Sequence, residues 1–115
     1  MTVVLYRPVE PKELELIEKV SWTAFPPRLP EQPIFYPVTN EDYAVQIARD
    51  WNAKADGVGY VTRFEIDAGY VARFERKIVG NRTHEELWVP AGELAEFNSR
   101  IVEKIEIIHT FHRNT

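Results

Sequence analysis

The chain has 115 residues, a formal net charge of -4 and no cysteine. This length suits one domain with its own core, the acidic balance gives nucleic acid no electrostatic hold, and the lack of cysteine excludes disulfides and thiolate-ligated metals and suits a reducing compartment. No apolar run approaches the ~20 residues of a membrane helix, and Met1–Pro8 lacks the basic lead of a signal peptide, so the expectation is a soluble cytoplasmic protein without a membrane partner.

Val3 to Arg7 reads as a short strand stopped by Pro8. Glu10-Pro11-Lys12-Glu13 supplies the proline and acids of a helix start, and Leu14, Ile17 and Val20 mark one apolar face over about three turns. Pro26, Pro27, Pro30 and Pro33 make residues 21–33 a loop. Within it, Pro27-Arg28-Leu29-Pro30 fits a P-x-x-P ligand, but the flanking Trp22, Phe25, Ile34 and Phe35 point to packing on the same domain.

Ile34-Phe35-Tyr36 reads as a strand ending at Pro37. Thr39 to Asp42 is the spacing of a capping-box variant before a helix whose apolar face is Tyr43, Ala44, Ile47, Ala48 and Trp51. Tyr43, Ile47 and Trp51 could line a pocket, although such a stripe is usually core. Gly57-Val58-Gly59 lacks the third glycine and the following helix of a phosphate loop.

From Tyr60 the chain alternates, with Tyr60, Thr62, Phe64 and Ile66 on one face, as in a half-exposed strand. A helical turn over 68–72 and a strand from Arg73 to Val79 with Phe74 and Ile78 inward come next. Gly80-Asn81 is a hairpin turn into a strand from His84 to Val89. Glu93 to Phe97 is a short helix, and Lys104 to Phe111 a last strand with Ile105, Ile107 and Phe111 on one face. Helices early and strands late predict an α+β class: a single compact domain with mainly antiparallel sheet and two principal helices.

His109 and His112 have a metal-like spacing, but on a strand an odd spacing sends the rings to opposite faces, so no metal site is expected. No Ser-His-Asp arrangement stands out. Two places remain. Arg7 ends an apolar strand on the face of Val3 and Leu5, where it either reaches solvent or holds a phosphate or carboxylate at a cleft edge. In Glu85-Glu86-Leu87-Trp88-Val89-Pro90, alternation puts His84, Glu86 and Trp88 together, opposite Leu87 and Val89. That face is either simply wet or the lining of a cleft.

Three segments in order, Leu5-Tyr6-Arg7, Ile34 to Thr39 with Tyr43-Ala44, and Glu86-Leu87-Trp88-Val89-Pro90, resemble the ADP-ribosyltransferase fold, and more closely the small bacterial proteins labelled "ADP-ribosylation/crystallin". In that fold a first strand carries an arginine or histidine, a middle strand with an aromatic or hydroxyl residue runs into a helix, and a late strand carries the catalytic glutamate. The resemblance implies a transferase with NAD as substrate: Glu86 as the catalytic carboxylate, Arg7 on a cofactor phosphate or ribose, and Tyr36 and Trp88 stacked on nicotinamide or adenine. Tyr6, Thr39 and His84 complete the implied cofactor-binding set, and a protein acceptor for ADP-ribose is the implied partner. Arginine-modifying members carry a second glutamate two residues before the catalytic one. His84 stands there instead, which speaks against arginine as acceptor. The hydroxyl triplet of toxin members is also absent at 36–38. A non-catalytic domain of the same fold, binding a nucleotide or a protein partner, is the alternative.

Overall fold

The computed structural model describes residues 1–80 and 84–113. The first strand, β1 (Thr2–Val9), alternates as its sequence requires and buries Leu5, Arg7 and Val9. It runs through Pro8, contrary to the expected stop. The Tyr6 N–H points away from the neighbouring strand, toward Val38, and Pro8 has the same parity, so its missing N–H falls on the outer edge, where no ladder bond is lost.

Glu10 caps α1 (Pro11–Lys19): its two carboxylate oxygens accept from the Lys12 and Glu13 N–H groups, each at 2.8 Å. Ile17 is buried, but Val20 sits at the C-cap and is exposed. The chain then leaves the helix through left-handed Ser21 and Trp22, with φ of 58° and 65°. Such non-glycine conformations need support. Here the Trp22 N–H donates to the Ile17 carbonyl at 3.0 Å, and the Ile105 N–H donates to the Trp22 carbonyl at 2.8 Å. The proline-rich stretch packs on its own domain. Phe25 is buried, and its backbone N–H and carbonyl pair with the Asn98 side chain at 2.9 and 3.0 Å.

After β2 (Ile34–Phe35), the helix start differs from the capping-box expectation. Asn40 is the cap, accepting from the Tyr43 N–H at 3.1 Å, while Thr39 donates elsewhere. The helical segment is α2 (Glu41–Ile47), a π turn (Ala48–Asn52) and α3 (Ala53–Asp56). The π turn takes one more residue per turn, so the buried positions run Ala44, Ala48, Ala53 rather than at constant helical spacing. This rotates Trp51 out of the expected apolar face and leaves it 71% exposed.

Three strands form the larger sheet, in the order β1-β3-β6, with β3 (Val58–Asp67) central and β6 (Ile101–His112) outside it. The expected half-exposed character holds over the second half of β3, where Arg63 and Glu65 stay partly exposed opposite Phe64 and Ile66, but near Val61 both faces are covered. Phe64 and Ile66 enter the main core, while Val61 joins a second cluster with Val38, Tyr43, Ala44 and Ala48. Val61 pairs with His109 and Thr62 with Ile107, so Ile108 is an extra residue in β6. This bulge breaks the alternation expected there: Ile105 and Ile107 still line one cavity, Ile107 more exposed, while Ile108 and Phe111 pack against the second cluster.

Asp67 caps the short α4 (Ala68–Val71). The hairpin strands β4 (Glu75–Ile78) and β5 (Glu85–Pro90) join β2 in a second three-stranded sheet, in the order β2-β5-β4. Ile78, expected inward, is exposed, and Phe74 packs on the core from just before β4. Asn81 of the expected turn lies outside the described residues. A 3-10 turn (Ala91–Glu93) leads into α5 (Leu94–Ser99). All strand pairings among the described residues are antiparallel, in keeping with the α+β expectation.

The helical segment lies so close to β3 that a Cβ at Gly59 would stand 2.2 Å from the Ala48 carbonyl oxygen and 2.8 Å from Asn52 Cβ. Backbone on one side leaves nothing to yield. Gly59→Ala is expected to destabilise the fold by ~2 kcal/mol, measured as a lower urea midpoint.

Candidate functional site

The segment after β2 joins the two sheets. The Tyr6 N–H donates to the Val38 carbonyl at 2.9 Å, and the Val38 N–H returns to the Tyr6 carbonyl at 2.8 Å. On the other side, the Leu87 N–H donates to the Pro37 carbonyl at 2.8 Å and the Thr39 N–H to the Glu85 carbonyl at 3.2 Å. Val38 therefore bridges both Tyr6 and Glu86. Directly opposed residues of antiparallel strands project to the same side. Tyr6, Val38 and Glu86 thus share one face, and Arg7, Pro37 and Leu87 the other.

Glu86 is half-buried, and each of its carboxylate oxygens holds a donor. The Tyr43 hydroxyl donates to Oε2 at 2.8 Å, and Trp88 Nε1 donates to Oε1 at 3.1 Å. Aromatic rings surround it. Tyr36 meets Trp88 edge-on at 6.0 Å between centroids, and Lys77 Nζ lies 5.3 Å from the Trp88 ring centre. The His84 ring stacks on Tyr43 at 4.3 Å, with its Nδ1 3.1 Å from the Val79 carbonyl oxygen. Beside this stack opens a cavity of about 450 Å³, lined among the described residues by Tyr43, Ile47, Trp51 and His84, with Gln46, Val79 and Gly80.

Burial, the hydrogen bond to Glu86 and the negative charge of that carboxylate together push the Tyr43 phenol up to about 12. Tyr43 is thus a neutral donor across the physiological range. The resulting site is a fixed carboxylate whose oxygens each keep one lone pair unclaimed among the described residues, set among rings that offer stacking faces. Such a surface can accept hydroxyl donors or stabilise a nearby positive charge.

The structure brings Tyr6, Tyr36, His84, Glu86 and Trp88 onto one face, with Tyr6 packed against the second apolar cluster. It leaves Arg7 and Thr39 out. Arg7 is buried on the opposite side, where Nε and Nη2 donate to the two oxygens of Glu13 at 2.7 and 2.9 Å. Its Nη1 donates to the Tyr36 carbonyl at 3.3 Å, and its guanidinium lies over the Phe35 ring at 4.6 Å. It neither reaches solvent nor opens onto the Glu86 face. Thr39 donates to Glu85 at 2.9 Å, and Arg76 reaches the same carboxylate at 3.2 Å.

His109 lies 2.7 Å from a Glu41 oxygen. No group of three His, Cys, Asp or Glu side chains that could hold a metal forms among the described residues. Tyr43 is the site residue that strand alternation misses, because it comes from a helix. Its signal in the sequence is a phenol in the first helical turn after the segment that joins the two sheets. No family model, curated protein or solved structure matches the chain.

Two outcomes follow from these bonds. Glu13→Gln strips the counter-charge from a buried guanidinium and is expected to cost about 2–3 kcal/mol, slightly less than in a fully dry pair, measured by denaturant unfolding. Tyr43 has a raised folded-state pKa, so the bond to Glu86 stabilises fully below the ordinary tyrosine value of 10.0 and is lost as pH climbs toward about 12. Stability is expected to fall over that alkaline window, and Tyr43→Phe should flatten part of the fall in a series of urea midpoints.

Proposed function

We propose that this chain, in an ADP-ribosyltransferase-like fold, binds NAD or a related nucleotide on the Glu86 face and cleaves its nicotinamide–ribose bond. The ADP-ribose then passes to an acceptor or to water. The observation that carries this reading is the Glu86 carboxylate, held by Tyr43 and Trp88 among the rings of Tyr36, Trp88 and His84.

The chemistry asks little of the protein beyond that carboxylate. The C–N bond breaks heterolytically, and its electron pair leaves with the nicotinamide nitrogen, which becomes neutral, so no general acid is required. Positive charge develops on the ribose as an oxocarbenium-like state. Glu86 stabilises that charge and accepts a ribose hydroxyl. The incoming nucleophile adds at the anomeric carbon and releases its proton to solvent water. Trp88 and Tyr36 offer faces for nicotinamide or adenine, and the cavity beside His84 and Tyr43 has room for a ring.

The commitment of Arg7 to Glu13 favours a second reading, because the expected phosphate anchor is already paired and lies on the other face. That reading is a non-catalytic domain of the same fold that binds a nucleotide or a protein partner.

Nicotinamide release from NAD is expected for the wild type, and Glu86→Gln should lower it by roughly a hundredfold or more while the thermal midpoint stays close to that of the wild type. NAD-induced NMR shifts centred on Tyr36, Tyr43 and Trp88 without nicotinamide release would select the non-catalytic reading. If the wild type neither binds nor cleaves NAD, the NAD proposal fails.

A further inference from the structure

Both donors that hold the half-buried Glu86 carboxylate are neutral: the Tyr43 hydroxyl and the Trp88 indole N–H. No ion pair among the described residues compensates its charge. Yet a lysine stands directly opposite. In the hairpin register Lys77 pairs with Glu86, so the two side chains project to the same side. The Lys77 ammonium turns instead to exposed Glu75, at 2.6 Å, and lies 5.3 Å from the Trp88 ring centre. A compact, strongly hydrated ammonium thus stays at the rim, and the carboxylate among the rings keeps its charge.

The rings suit a different kind of cation. Trp88 and Tyr36 meet at 75° with centroids 6.0 Å apart, so they form two walls of a corner. Tyr36 is 39% exposed, which leaves the corner open, and Trp88 holds Glu86 at its indole edge. Aromatic faces attract positive charge, and a quaternary nitrogen wrapped in carbon is the form that such faces take up most readily. Lys77 shows that the Trp88 face already draws a cation.

We propose that this corner binds an organic cation whose charged nitrogen is capped by carbon, a quaternary ammonium or an N-alkylpyridinium. Glu86 is its counter-charge, and Lys77 occupies the Trp88 face until the ligand arrives. Displacing Lys77 costs little, because its ion pair with Glu75 is solvent-exposed. The nicotinamide end of NAD is one cation of this class, but nothing in the corner requires a nucleotide attached to it.

The test follows the Trp88 Nε1–H resonance by proton–nitrogen NMR during titration with choline and with 1-methylnicotinamide. Each is set against the uncharged compound that has carbon in place of the charged nitrogen, 3,3-dimethylbutan-1-ol and 3-methylbenzamide. Saturable shifts are expected with at least one cation, which binds roughly tenfold tighter than its uncharged counterpart. The responding cation tells a tetrahedral ligand from a flat one. Glu86→Gln should weaken that binding roughly tenfold, and Lys77→Gln should tighten it about threefold. Arg76→Gln, which removes a charge from the other face of the same strand, should leave it close to the wild type. The probes carry neither phosphate nor a bond to ribose. Cation binding without any response to NAD therefore removes the NAD reading and keeps this site, and NAD turnover without cation binding does the reverse. If neither cation gives a saturable shift, or the uncharged compounds bind as well, the proposal is overturned. Lys77→Gln binding no tighter overturns the part given to Lys77. The comparison of charged with uncharged compounds uses the wild type alone, and it decides the matter if Glu86→Gln does not fold.

Discussion

The arrangement of this molecule rests on four backbone hydrogen bonds made by Pro37, Val38 and Thr39. They tie β1 to β5 through a segment too short to be a strand of its own. The tie also fixes sidedness. Because Val38 stands opposite both Tyr6 and Glu86, every neighbouring side chain is assigned to a face. One face receives Leu5, Phe35, Leu87 and Val89 and becomes the main core. The other receives the polar and aromatic set around Glu86. A slip of one residue at Val38 would exchange the two sets and bury the carboxylate.

The same sidedness explains why Arg7 and Glu86 share no site although their strands are joined. Arg7 is of odd parity in β1 and must enter the core side, where a lone guanidinium could not stay. Glu13, one helical turn past the cap, supplies a bidentate partner, and the Phe35 ring supplies a face. The arginine thus fastens α1 and the segment after β2 to the first strand. Its energetic role is that of a buried, matched pair, whose loss costs more than its presence gains.

Period-two alternation was enough to put His84, Glu86 and Trp88 together, because β5 is regular along its length and needs only its own pattern. The α1 start was equally legible, since Glu10 and Pro11 act locally. What escaped depended on insertions. The π turn at Ala48–Asn52 adds a residue that no local pattern announces, and Trp51 left the apolar face with it. The extra Ile108 in β6 did the same to Phe111, which packs against the second cluster instead of sharing a face with Ile105 and Ile107. Helical spacing did mark Tyr43, Ile47 and Trp51 as candidate pocket lining, and all three line one cavity. The bond of Tyr43 to Glu86 escaped for another reason: the two are 43 residues apart, and a pairing between helix and strand has no periodic signature. The face of Arg7 was read correctly, but its meaning needed the identity of Glu13 across space.

The placing of β3 also bears on when the molecule can take shape. Its residues pair with β1 on one side, Thr2 with Asp67 and Val9 with Tyr60, and with β6 on the other, Val58 with His112. Its two neighbours are therefore the earliest and the latest strands to leave the ribosome. A nascent chain that has emerged only as far as α5 holds β3 with one flank bare. The loop that Ile105 secures at Trp22 is still untied at that stage. Assembly is governed by contacts distant in sequence, which makes it slow and leaves an open, apolar strand edge for chaperones to cover until residues 101–112 arrive.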